Sequence, residues 1–266
     1  MDSSLLEPSE FAWVFSCVGL RVLPLLLMLP GAFSAAVPMR LRIALAVCVS
    51  ACLTPNACQY VEELHGSAGM PHSNAEWIAG MGGELILGLL LASVFSLTLV
   101  SLRIAGQMIS QLSGFSFAET QDPDAAQRMP LLSGLLGWLA IVVLLLSGVH
   151  RQVLAACFES LASYPVGSVR FEASWLAEFN RVLQHTFEVG LRVSVPIGLS
   201  LLVVTIANGI LSRAVPQLHM LGVGLNLNAL AMLVALFLSV GGVGWVFQQE
   251  LGGWIDSCQR IVALDP

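Results

Sequence analysis

The chain has 266 residues, 56% of them hydrophobic and only 11% charged, with a mean hydropathy of +0.83; one water-soluble core cannot hide that much apolar surface, so a bilayer or a large assembly has to cover the rest. The 11 basic residues are all arginine and the 17 acidic residues leave a net charge of -6, which excludes a basic patch or run for nucleic acid. The acidic start (Asp2, Glu7, Glu10) lacks the positive region and cleavage site of a secretory signal, so the first apolar run is expected to stay in the protein.

A membrane-crossing helix needs ~20 mostly apolar residues. Residues 12–30 form the first such run. Residues 37–53 form a compromised second one, because Arg40 and Arg42 break its start and Pro55 is expected to stop it, leaving a short apolar core at 43–53. This segment either pairs with the first as a hairpin turned at Pro30, Gly31 and Pro38, or is buried in protein. Further runs are expected at 77–102, 131–149, 189–211 and 218–247, with an interruption of the helix at Gly80-Met81-Gly82-Gly83. The connections differ: 56–76 is acidic with glycine and proline, 103–130 is mixed, and 150–188 holds an amphipathic pattern. In that last stretch Phe171, Trp175, Phe179, Val182, Leu183 and Phe187 recur at helical spacing, with Glu172, Glu178 and Arg181 largely off the face. It reads as a helix lying on a membrane or on a partner. The arginines distribute over both sides of a six-span arrangement and do not set an orientation. With no internal repeat and no linker, residues 1–266 are expected to form one all-α domain of hydrophobic helical hairpins.

Few residues suggest chemistry. Cys17, Cys48, Cys52 and Cys157 lie among apolar neighbours, and Cys58 and Cys258 at segment ends, so all are read as small buried hydrophobes; neither a zinc site nor a disulfide framework is expected. His65, His72, His150, His185 and His219 match no metal or triad spacing. Gly114-Phe115-Ser116-Phe117-Ala118 has part of a nucleophile-elbow pattern without its final glycine, strand or base, so no catalytic residue, cofactor or metal is assigned. Ionisable residues inside apolar runs are costly, which singles out Arg21, Glu84 and Arg192 as buried charges. Pairing is the expected explanation for them, and Arg192 has Glu188 four residues away. A polar helix face comes next: Arg103 to Gln107 is a step of four, and from Gln107 Ser110 and Gln111 follow at three and four, on a helix otherwise Leu, Ile, Met and Val. Such a stripe in an apolar helix faces partners or water. It leads to a loop that turns from glycine and phenylalanine to acids and proline, 114–123, where Phe115 and Phe117 either obstruct a passage or fill a core.

The order of these features resembles the FliR/SctT family of type III secretion export subunits across nearly the whole chain. The series runs Leu20-Arg21-Val22, Val37-Pro38-Met39-Arg40-Leu41-Arg42, Thr54-Pro55, Glu84-Leu85-Ile86-Leu87-Gly88 and Arg103-Ile104-Ala105-Gly106-Gln107. It continues with Gly114 to Ala118, Asp122-Pro123, His150, Tyr164-Pro165-Val166-Gly167, and Asn208-Gly209-Ile210-Leu211-Ser212-Arg213-Ala214-Val215-Pro216-Gln217-Leu218. Departures are Leu112 and Gln111 where the family often has glutamine two residues before the loop glycine, Thr120 for a later aromatic, and Gly148 one residue farther from His150. The stretch 222–230 looks more like the flagellar branch than the injectisome branch.

The resemblance implies a subunit of an export gate in the bacterial inner membrane, at the basal body of the flagellum. There it would join FliP-like and FliQ-like partners in a pore-forming hetero-oligomer beside FlhA-like and FlhB-like proteins, passing unfolded exported proteins. It also implies that Gly114, Phe115, Ser116, Phe117, Asp122 and Pro123 belong to a channel plug, and that Asn208, Arg213, Pro216 and Gln217 lie at a helix turn packed against partners. Two other readings are an injectisome export subunit and a secondary transporter working through Arg21, Glu84 or Arg192, the latter without the inverted repeat such a protein would carry.

Overall fold

The computed structural model describes residues 8–28, 38–65, 73–114, 131–169, 173–214 and 220–263. Among them the chain is all-α, with seven helices: α1 Pro8–Leu27, α2 Met39–His65, α3 Asn74–Ser113, α4 Leu131–Ser147, α5 Val149–Ser163, α6 Ala173–Ala214 and α7 Met220–Ala263. Five are long and apolar enough to cross a membrane, or six if the pair α4 and α5, bent by 66° at their junction, counts as one span. The bend sits at Gly148, whose φ of 72° is a left-handed conformation that costs glycine nothing.

Several boundaries differ from the sequence expectation. Pro55 does not stop α2, which continues to His65. An interior proline removes one backbone bond and costs a helix about 3 kcal/mol, but Leu53, Ala57 and Cys58 on either side of it are packed into a core and hold the helix through the break. The glycines at 80, 82 and 83 do not interrupt α3, which runs 40 residues from a serine cap, Ser73 Oγ accepting from Ala75 N at 3.3 Å. The amphipathic pattern before residue 188 is not a separate surface helix. From Ala173 it is the first part of α6, in which Trp175 and Val182 are buried, Phe187 is exposed, and Glu178, expected off the apolar face, is itself buried. Phe171 and Glu172 lie outside the described residues. Of the cysteines, Cys48 and Cys52 are exposed on α2 instead of buried, and Cys58 and Cys258 are buried.

Helices α3, α6 and α7 have 40, 42 and 44 residues. At 1.5 Å per residue each is about 60 Å or more along its axis, against roughly 30 Å of hydrocarbon in a bilayer. Part of each must therefore lie outside lipid.

The contacts divide the chain into two compact units, one made of Met1–Leu97, Gly148–Val182 and Gly253–Pro266, the other of Thr98–Ser147 and Leu183–Gly252. In the first, Gly19 lies beside Ser50 and Arg42 Nη1 donates to the Leu27 carbonyl at 3.4 Å, so α1 and α2 form an antiparallel hairpin. Its core is built on Trp13, Val14, Cys17, Val18 and Val22 of α1, Ala46 and Leu53 of α2, and Cys157 and Leu161 of α5. In the second, Ser133 Oγ donates to the Arg103 carbonyl at 3.1 Å and Gly137 packs on the Arg103 side chain, which makes α3 and α4 antiparallel. Gly190 meets the Ser101 carbonyl and Ser194 Oγ reaches Met108 Sδ at 3.6 Å, so α6 runs parallel to α3. Lipid tails are as apolar as leucine, so in such helices close approach at small residues and hydrogen bonds between helices carry much of the association.

Candidate functional site

The most constrained group of side chains in the first unit surrounds Arg21. Its residue exposure is 1% and that of Glu84 is 0%. Arg21 Nε donates to Glu84 Oε2 at 2.6 Å, Nη1 to the Ser160 carbonyl at 2.8 Å and to Ser160 Oγ at 3.2 Å, and Nη2 to the Tyr164 carbonyl at 3.1 Å. The other Glu84 oxygen accepts the Gly167 N–H at 3.0 Å. Two charges taken out of water are expensive unless each is fully met by partners, and here both are. The planar, five-donor guanidinium is what lets one side chain serve α3, the end of α5 and the turn after it; a lysine could not reproduce the fork.

Local sequence sets this up. Ser160 and Tyr164 stand at the C-terminal turn of α5, where the Ser160 carbonyl takes the last helical bond as well as Arg21, and the Tyr164 carbonyl lies past the end of the helical ladder. Tyr164 N donates back to Ser160 O at 3.0 Å, and the turn Pro165 to Ser168 closes with Ser168 N to Pro165 O at 3.1 Å, placing Gly167 at φ 82°. The turn can lie against α3 because α3 offers glycines: a Cβ on Gly83 would run into the Val169 carbonyl oxygen, and one on Gly88 would overlap the Arg21 carbonyl. Trp13 meets Trp77 edge-on with centroids 4.3 Å apart, and its ring edge also lies against Gly80 and Gly167. The arrangement is a knot of α1, α3 and α5.

The second unit holds a more exposed polar group. Arg192 of α6 pairs with Glu188 at 2.7 Å and with Glu250 of α7, whose second oxygen is 3.8 Å from His185 Nε2. Its side chain is 52% exposed, so within this chain Arg192 is not a buried charge; it sits on the outer face of α6, one turn from an acid that matches it. At the other end of the same pair of helices, Asn208 Nδ2 donates to Asn228 Oδ1 at 3.2 Å, which with the Arg192 contact makes α6 and α7 antiparallel.

The polar face of α3 is uneven. Gln107 and Gln111 are exposed, Arg103 is half-buried over Gly137, and Ser110 is buried with no bond to its hydroxyl among the described residues. The face ends at Gly114, where φ is 77°. Phe115, Ser116, Phe117, Asp122 and Pro123 lie outside the described residues, as do Pro216 and Gln217, while Arg213 falls in the last turn of α6. Sequence reasoning missed the partners that complete each charge: Ser160, Tyr164 and Gly167 for the Arg21 pair, His185 and Glu250 for Arg192, and Arg260, whose Nε reaches the buried Glu178 at 3.2 Å. The one sequence signal for the first set was the Tyr164-Pro165-Val166-Gly167 turn. For Glu250 it was an acid beside Gln248 and Gln249 just where an apolar run ends. Among the described residues no three His, Cys, Asp or Glu side chains are grouped to hold a metal ion.

The family described as bacterial export proteins, family 1, matches residues 12–253. The chain belongs to this family. Its relatives include the flagellar biosynthetic protein FliR of Caulobacter vibrioides, 25% identical over 249 residues that cover 92% of this chain and 94% of that protein. The protein of the same name from Escherichia coli is 24% identical over 216 residues, 79% of this chain and 77% of its own length. That of Bacillus subtilis is 26% identical over 188 residues, 68% and 71% respectively. The FliR/SctT resemblance carried by the ordered motifs is therefore correct, and the relatives are of its flagellar branch. The matched span takes in both the Arg21–Glu84 knot and the Arg192 group.

Proposed function

We propose that this chain is a subunit of a flagellar protein-export gate in the bacterial inner membrane, at the basal body, and that it forms the secretion channel together with FliP-like and FliQ-like subunits beside FlhA-like and FlhB-like proteins. The observation that carries this reading is the family match over residues 12–253 with relatives named as flagellar biosynthetic proteins. The physical features agree with it. Large apolar side chains such as Trp138, Leu146, Phe237 and Leu238 are exposed on the chain alone, which suits an element of a larger apolar assembly. Helices of 40 to 44 residues are longer than lipid can cover, which suits a subunit that reaches beyond the bilayer. Such a subunit guides unfolded chains and needs no catalytic group.

Within this reading the loop 114–123 is the plug of the closed channel. The polar face of α3 leads to Gly114, and the two phenylalanines that follow supply bulk without chemical selectivity. The test is ion conductance of the purified, membrane-reconstituted complex. Replacing Phe115 and Phe117 together by alanine should make the resting gate leak; permeability equal to the wild type would defeat the plug assignment. Failure of co-expressed FliP-like and FliQ-like subunits to purify with the wild-type chain would defeat the assembly itself.

A further inference from the structure

We propose that the face of α6 carrying Glu188 docks a helix of a partner subunit that presents a lysine or arginine to the Glu188 carboxylate. The inference rests on the assembly reading above and adds the chemistry of one contact. Two carboxylates, Glu188 and Glu250, share one guanidinium: Arg192 Nη2 bonds Glu188 Oε1 at 2.7 Å and Nη1 bonds Glu250 Oε1. Glu250 is the better served, with a side chain only 19% exposed and its second oxygen turned to His185 Nε2. Glu188 is 62% exposed, and its second oxygen accepts no bond among the described residues. Two carboxylates thus share one guanidinium, and Glu188 is the outermost of the three side chains.

Its surroundings make that sharing informative. Of the exposed neighbours of Glu188 on α6, Gln184 one turn before it is polar, whereas Phe187, Leu191 and Val195 are large and apolar, and the apolar face continues through Leu199 and Ile206. On α7 the same level, fixed by the Arg192–Glu250 bond, is where exposed Trp245 gives way to Gln248 and Gln249. An apolar surface that covers this face removes water from a half-paired carboxylate, which is costly unless a cation arrives with it. Hydrocarbon tails bring no such cation, and a neutral helix face would strand the carboxylate. A helix with apolar residues along its length and one basic residue at the height of Glu188 matches both the surface and the charge.

The test uses the intact export complex purified through a tag on this chain, with Glu188→Gln and Glu188→Arg compared with wild type. Arg192 keeps Glu250 in both variants, so the α6–α7 contact within the chain is preserved; equal melting of the three chains in detergent checks this. Glu188→Arg should lower the complex recovered per chain by about tenfold or more, and Glu188→Gln by less, since like charges repel where a neutral group only fails to pair. Reversing one partner lysine or arginine to glutamate should restore the Glu188→Arg complex. Recovery of Glu188→Arg complex within about twofold of wild type, as a face turned to lipid or water would give, overturns the inference; so does a loss that no partner reversal repairs. Absence of any partner from the wild-type preparation defeats the assembly reading instead.

Discussion

Arg21 of α1 and Glu84 of α3 meet at 2.6 Å across 63 positions of sequence, and both side chains are fully enclosed. Every other bond they make, to Ser160, Tyr164 and Gly167, ends on the C-terminal turn of α5 and the turn that follows it. The first helix of the chain is thus tied to its middle through one pair of opposite charges.

Breaking that pair from one side leaves a buried charge unmet. Glu84→Gln or Arg21→Met should each destabilise the detergent-solubilised chain by about 3–5 kcal/mol, read as a fall in melting temperature and in chain level in the membrane. The double variant with methionine at both positions should recover part of the loss. A Glu84→Gln chain that melts like the wild type would show that the pair is not holding α1 in place.

Two glycines on one helix should respond in opposite ways. At Gly88 an added Cβ would lie 3.0 Å from the Arg21 carbonyl carbon and Cα, against rigid backbone, whereas at Gly82 it meets nothing within 4 Å. Gly88→Ala should cost about 1–3 kcal/mol through forced separation of α1 and α3. Gly82→Ala should be neutral or stabilising by up to about 1 kcal/mol from helix propensity. Thermal melting of the isolated chain decides it, and similar melting temperatures for the two would refute the packing.

Gly114 ends α3 at φ 77°, a conformation that strains any residue with a Cβ. Gly114→Ala should change global stability by only about 1 kcal/mol, because nothing lies within 4 Å of that position. Its effect should appear instead as altered resting conductance of the reconstituted gate, through a redirected start of the loop. Unchanged conductance would separate the turn from gating.

Thiol reactivity should sort the cysteines by α2 geometry. Cys48 and Cys52 are exposed, and Cys17, Cys58, Cys157 and Cys258 are buried. A maleimide applied to the folded chain in detergent should label the first two and spare the other four until the chain is denatured, as peptide mass spectrometry will show. Labelling of Cys17 as fast as Cys48 would mean that α1 and α2 do not pack as described.

Much of this protein was legible without coordinates because the signals are local. Apolar runs declare helices, and a series of short motifs in a set order declares the family; neither needs to know which helices touch. The errors arose where a local rule met a tertiary answer. Pro55 breaks helices in isolation, yet Leu53, Ala57 and Cys58 are packed on either side of it and carry α2 through. The glycines at 80, 82 and 83 weaken a helix by propensity, yet α3 runs unbroken through them, and Gly83 is where the Val169 backbone lies against it. The pattern before residue 188 reads as a surface helix because Glu178 lies off the apolar face, yet Glu178 is buried, with one oxygen on nearby Arg181 and the other on Arg260, 82 positions away.

The sequence by itself determined the class: an all-α, multi-helix member of an export family whose apolar surface exceeds what one core can hide. It also marked Arg21, Glu84 and Arg192 as residues that need an explanation. Only the tertiary structure decided what that explanation is, since a charge is made affordable by whatever lies within hydrogen-bond reach, and for Arg21 those groups are 63 to 143 positions away. It also separated Arg21, enclosed and fully bonded, from Arg192, which the chain leaves half exposed beside an under-served carboxylate. Burial and partner geometry are properties of packed helices, and no spacing along a single chain encodes them directly.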